Sequence, residues 1–130
     1  GAAASGATLE VRPTERLYLP MRNNTALAGA YRANAESVGR TFMDAKLDST
    51  GSSDMGNVSQ AMPSIHPMFG VGAMAFNHTP AFTNVCATDA AHASMVQVAQ
   101  ALAMTGVDVV LDPDLLQRAK EEFASGRGYP

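Results

Sequence analysis

Tryptophan is absent from the 130 residues, cysteine occurs once, and only 9 residues are Lys or Arg. One cysteine excludes an internal disulfide framework and any Cys-rich zinc site held within a single chain, which fits a reducing compartment and leads to a cytoplasmic expectation. The 9 basic residues against 12 acidic ones give a net charge of -3 and a pI near 5.5. Such a chain makes a poor phosphate-tracking surface, so nucleic acid is not an expected partner. No uninterrupted apolar run reaches the ~18 residues of a spanning helix, and the N-terminus lacks the basic region and long apolar stretch of a signal peptide. No membrane partner is expected either. What is present is 46% hydrophobic residues, enough for one modest domain or a part of one.

The opening lacks Met, and Gly1 to Ala4 read as the last turn of a helix that stops near Gly6, so the chain is expected to be cut from something longer. Ala7-Thr8-Leu9-Glu10-Val11-Arg12 alternates with the period of a half-buried strand, ended by Pro13. Leu27, Ala30, Tyr31, Ala35 and Val38 recur at helical spacing between Thr25 and Gly39, with Asn23 or Asn24 as the cap. Periodicity fades from Arg40 to Gln60, where Ser49 to Asp54 form a small, polar, turn-rich loop. A short helix is predicted from Asp54 to Met62, then a buried strand from Ile65 to Met74, then a turn at Asn77-His78-Thr79-Pro80. Thr88 caps the strongest element, a helix running through to Leu111, and Asp112-Pro113 restarts a last helix with Leu115, Ala119 and Phe123 inside. Two or three strands against two or three helices indicate α/β packing, with too few strands to cover the long helix.

Few residues invite chemistry. His78 sits in a Pro- and Asn-rich turn, where a neutral imidazole can ligate zinc, although a loop histidine taken alone is ordinarily a surface or hydrogen-bonded group. His66 before Pro67 and His92 in the long helix have weaker cases, His92 reading as a solvated or packing residue. Gly51-Ser52-Ser53-Asp54-Met55-Gly56-Asn57 could let backbone amides and hydroxyls approach a carboxylate, or simply form a turn and a cap. A triad of Ser53, His78 and Asp54 lacks the Gly-x-Ser-x-Gly elbow, and Gly70-Val71-Gly72 lacks the third glycine of a dinucleotide fingerprint.

Taken in order, Gly51 to Ser59, Pro63-Ser64-Ile65-His66-Pro67, Asn77-His78-Thr79 and the long Ala-rich helix ending in Asp108 resemble the C-terminal part of the aminoacylase and dipeptidase family of metal-dependent amidohydrolases. The similarity is greatest to its branch of dipeptidase-like proteins and p-aminobenzoyl-glutamate hydrolases. The resemblance implies an α/β/α zinc-peptidase catalytic domain interrupted by a smaller lid that forms a homodimer interface. On this reading residues 1–17 are the end of the lid, as a helix end plus a strand, and residues 18–130 are the C-terminal half of the catalytic domain.

It further implies two divalent metal ions, zinc or else manganese or cobalt, with the family's final histidine ligand mapping onto His78. Gly51, Ser52 and Ser53 correspond to the segment beside the substrate carboxylate, with Asn57 and His66 as further pocket residues and Asp54 fixing the turn. The remaining ligands and the general base have no counterpart, since the sole Glu pair, Glu121-Glu122, reads as a solvated helix face. The implied activity is hydrolysis of dipeptides or N-acyl amino acids by metal-activated water, with the N-terminal half of the same protein as partner and the isolated segment inactive. The alternative is a non-catalytic assembly or binding module that has kept the fold segment.

Overall fold

Helix boundaries in the computed structural model, which describes residues 1–12, 17–43 and 53–126, follow the capping chemistry of the chain. Helix α1 (Ala2–Ser5) ends at Gly6, whose φ of 71° is the left-handed conformation glycine adopts without penalty. Helix α2 (Thr25–Ser37) starts where the Asn24 side chain accepts from the Leu27 N–H. Helix α3 (Met55–Ala61) is short and stops before Pro63. Helix α4 (Pro80–Cys86) carries Thr79 as its cap and Pro80 in its first turn, a start signal that the reading of 77–80 as a plain turn passes over. Thr88 caps α5 (Asp89–Leu111), and the Asp112 carboxylate accepts from Asp114 and Leu115 to open α6 (Pro113–Ala124).

Helices α2, α5 and α6 pack on one another, and α4 leans on α5. Ala35 and Ala101 are fully buried where α2 meets α5, with Tyr31 beside them and Val38 and Ile65 closing the cluster. Small residues at the crossing let the helices approach closely and leave room for a polar seam. Asn34 of α2 donates to Asp108 at 2.6 Å and to Thr105 at 3.2 Å, both on α5. Arg40, just past α2, donates to Ser94 at 2.6 Å and to the Gly70 carbonyl, while Gln97 donates to the Val38 carbonyl. No buried side-chain polar atom among the described residues is left without a partner.

The opposite face of α5 is different. Met95, Val96, Leu102, Val107, Val110 and Leu111 are exposed, Val110 to 79%. Over its best window the mean hydropathy of α5 reaches 1.4, so by length and composition this helix could cross a membrane. That differs from the expectation of no spanning-length segment. His92, Ser94, Gln97 and Gln100 interrupt the apolar run without lowering the average enough to fail the test.

The two predicted strands are not seen as strands. Residues 7–12 are exposed and have no strand partner among the described residues, and residues 65–74 are largely exposed beyond Ile65, with Met68 and Met74 outside the core. A strand is stable only against a neighbouring edge, and among the described residues the one bridge is an isolated parallel contact between Asn23 and Ser64. Residues 17–22 are instead gripped by α3. Asn57 accepts from the Leu19 N–H and donates to the Leu17 carbonyl, Ser59 accepts from the Arg22 N–H, and Gln60 donates to the Pro20 carbonyl. Gly56 permits this approach, since a Cβ there would overlap the Leu19 carbonyl oxygen.

Glu122 is not a bystander on a solvated face. Its carboxylate accepts from Thr25 N–H at 2.7 Å, Thr25 Oγ1 at 2.9 Å and Ala26 N–H at 3.1 Å, capping α2 from the far end of α6. Arg22 reinforces the same junction by donating to the Phe123 carbonyl and lying 5.0 Å from the Phe123 ring centre. Partial burial pushes the Glu122 carboxyl upward, but the three donors together outweigh it and hold the group below its ordinary value of 4.5. A depressed carboxyl contributes stability that is complete above its unfolded value and is lost as pH falls through the folded one. Glu122→Ala should therefore lower stability near neutral pH by about 1 kcal/mol, the cost of losing a helix cap, and this difference from wild type should shrink below pH ~4. Chemical denaturation at a series of pH values checks this, and a difference independent of pH would contradict it.

Candidate functional site

The turn before α4 holds the most unusual backbone in the chain. His78 has φ of 62°, and it alone among the described non-glycine residues adopts a positive φ. For a residue with a Cβ this left-handed conformation costs on the order of 1–2 kcal/mol, so the surroundings must enforce it. Thr79 supplies part of that constraint. Its hydroxyl donates to the Phe76 carbonyl at 2.7 Å and accepts from the Phe82 N–H at 3.2 Å, bracketing His78 between two fixed backbone groups. Pro80 holds Thr79 extended, at φ -126° and ψ 154°.

The His78 imidazole is exposed and borders an open depression shared with Thr79, Pro80, Phe82, Thr83 and Asn84. Among the described residues no hydrogen bond engages its ring nitrogens, so the acceptor that would orient a ligating imidazole is not among them. An exposed, unengaged imidazole has the chemistry of a metal donor. One donor does not hold a divalent ion, however, and no group of three His, Cys, Asp or Glu side chains is gathered among the described residues. The fit is that of a single ligand contributed to a site completed by other groups.

Among the described residues, Ser53, Asn57 and His66 are not joined to His78 by hydrogen bonds. Ser53 is half-buried and its hydroxyl accepts from the Met55 N–H, opening α3, while the Asp54 side chain makes no cap bond of its own. Asn57 is committed to the backbone of Leu17 and Leu19. His66 is exposed on the segment after the Asn23–Ser64 bridge, and His92 is exposed on α5. Gly51 and Ser52 lie outside the described residues. A second depression lies between the start of α2 and the α5–α6 junction, lined by Thr25, Gly29, Asp108, Asp112, Leu115 and Arg118. Its carboxylates already have structural work: Asp108 accepts from Asn34 and Asp112 caps α6.

No family model matches the chain. Among curated proteins, it is 38% identical over 125 residues to the Xaa-Arg dipeptidase of Mus musculus, and likewise 38% identical over 125 residues to the Xaa-Arg dipeptidase of Homo sapiens. Each match covers 94% of this chain, and the chain spans 29% of the length of each of these relatives.

The strain at His78 has its own consequence. Glycine occupies the left-handed region freely, whereas alanine meets the same Cβ clash as histidine. His78→Gly should therefore be more stable than His78→Ala by about 1 kcal/mol, read from paired denaturant midpoints. Equal stability, or alanine the more stable, would show that His78 does not hold this conformation in solution.

Proposed function

We propose that the chain is the C-terminal part of a metal-dependent amidohydrolase that cleaves dipeptides, and that His78 is one of its metal ligands. The observation that carries the reading is the similarity to Xaa-Arg dipeptidases across 94% of the chain. Dipeptides with arginine in the second position, the specificity in those relatives' name, are the first substrates to try; N-acyl amino acids and p-aminobenzoyl-glutamate define the competing branches. The proposal includes an α/β/α catalytic domain completed by the rest of the protein, a lid-mediated homodimer, and a cytoplasmic location. The exposed apolar face of α5 and the unpaired segments 7–12 and 65–74 are in keeping with a fold whose sheet lies elsewhere in the polypeptide.

Within that enzyme the chain's own residues bind and orient. His78 presents a ring nitrogen from a turn whose backbone is fixed, so little ordering remains to be done on ligation. Two divalent ions, zinc or else manganese or cobalt, would supply Lewis acidity toward the scissile carbonyl and an activated water. Ser53, at the start of α3, would turn its hydroxyl from the Asp54 carboxylate, 3.3 Å away, to a substrate carboxylate, together with Gly51 and Ser52. Asn57 takes part by holding residues 17–19 against α3, and His66 is a pocket residue only if the completed enzyme folds over it. No proton-transfer role falls to His78, and the general base lies outside this chain.

Turnover of an Xaa-Arg dipeptide by the full-length protein, with metal content measured on the same samples, tests the proposal. His78→Ala should lose metal and lower the rate by more than about a hundredfold, beyond the usual cost of losing a ligand's supporting partner, whereas His92→Ala should resemble wild type. The 130-residue chain alone should be inactive. Full metal occupancy with a near-normal rate in His78→Ala, or metal-dependent turnover by the isolated chain, would contradict the assignment.

A further inference from the structure

The left-handed backbone of His78 is an outlier without a packing explanation, since the side chain it directs is exposed and makes no hydrogen bond among the described residues. A conformation that costs free energy persists where its neighbours over-determine it, and such sites concentrate where geometry is used. Here the over-determining group is Thr79. Its hydroxyl spans the residue before it, donating backward to the Phe76 carbonyl and accepting forward from the Phe82 N–H. The Thr79 carbonyl also accepts from the Thr83 hydroxyl at 3.4 Å and the Thr83 N–H at 3.2 Å, and Pro80 removes the freedom of Thr79 to turn helical. Three consecutive residues thus divide the labour: His78 presents the donor, Thr79 ties the turn, and Pro80 fixes the tie.

The geometry points to Thr79 as a positioning residue that holds the His78 imidazole outward for a metal ion, a role that rests on the proposed ligation by His78. The hydroxyl is needed for both its donor and its acceptor function. Serine retains both. Valine keeps the shape of threonine and loses both, so the two substitutions separate hydrogen bonding from packing. A merely structural cap would register in thermal stability and leave the metal affinity of the folded protein unchanged.

Zinc affinity of the full-length protein, measured by competition with a chromogenic chelator, and its melting temperature without metal should be read on Thr79→Val, Thr79→Ser and His78→Ala together. Thr79→Val is expected to weaken zinc binding by about tenfold or more, the usual effect of losing a ligand's supporting hydrogen bonds, with Thr79→Ser close to wild type. Should the valine variant fail to fold, Thr79→Ala removes the same bonds without a branched side chain and takes its place. Wild-type affinity in folded Thr79→Val, alongside loss of zinc in His78→Ala, would overturn the positioning role and leave the ligand assignment standing. Undiminished affinity in His78→Ala would remove the ligand assignment itself, and the positioning role with it.

Discussion

Asn24 is the point on which the described structure turns. It is a buried polar residue with every hydrogen-bonding group in use: the side-chain oxygen caps α2 at Leu27, the amide donates to the Ala119 carbonyl at 2.9 Å, and the backbone N–H donates to the Ser64 carbonyl at 2.9 Å. One residue thereby joins the start of α2, the middle of α6 and the segment entering residues 65–74. Glu122 and Arg22 close the same junction from the far end of α6. A buried amide left half-satisfied would cost on the order of 1–3 kcal/mol, so these partners must be fixed together or not at all.

A polar junction carries this weight because the apolar core is small. Among the described residues, the buried hydrophobic side chains are Tyr31, Val98 and Leu115 with several alanines, while larger groups on α5 face outward. Burial pushes the Tyr31 phenol above its ordinary value of 10.0, with nearby Arg40 opposing, and its ring meets Phe42 edge-on at 6.3 Å. The inner face of α5 is small and polar, matched to α2; the outer face is large and apolar. That asymmetry is the reverse of a surface helix and accords with the proposal that the remainder of a longer dipeptidase covers it. On that proposal, the turn ahead of α4 and the segments 7–12 and 65–74 belong to a site and a sheet that the rest of the protein completes.

Local chemistry made the helices legible. Asn24, Thr88 and Asp112-Pro113 are caps that act through their nearest neighbours, and α2, α5 and α6 start where those residues stand. Thr79-Pro80 carries the same signal, yet a turn alone was the predicted outcome there because Asn77 and His78 dominate the local pattern. Pairing is another matter. Alternation in residues 7–12 shows which side chains would share a face, but a strand also requires an edge from elsewhere, and sequence pattern does not supply one. The helix-capping role of Glu122 and the backbone contacts of Asn57 are not legible for a related reason: their partners lie far along the chain, at Thr25 and at Leu17 and Leu19, and no spacing rule connects them. The candidate site was legible as a residue, His78, through its family resemblance; its left-handed backbone and the Thr79 tie were visible only in three dimensions.

Anomalous diffraction from crystals of the full-length protein grown with zinc tests the central claim most directly, because it locates the metal without reference to activity. The expected result is an anomalous peak at about 2.0–2.1 Å from one ring nitrogen of His78, with the remaining ligands drawn from residues outside this chain. Bound zinc with no peak within bonding distance of His78 would contradict the assignment.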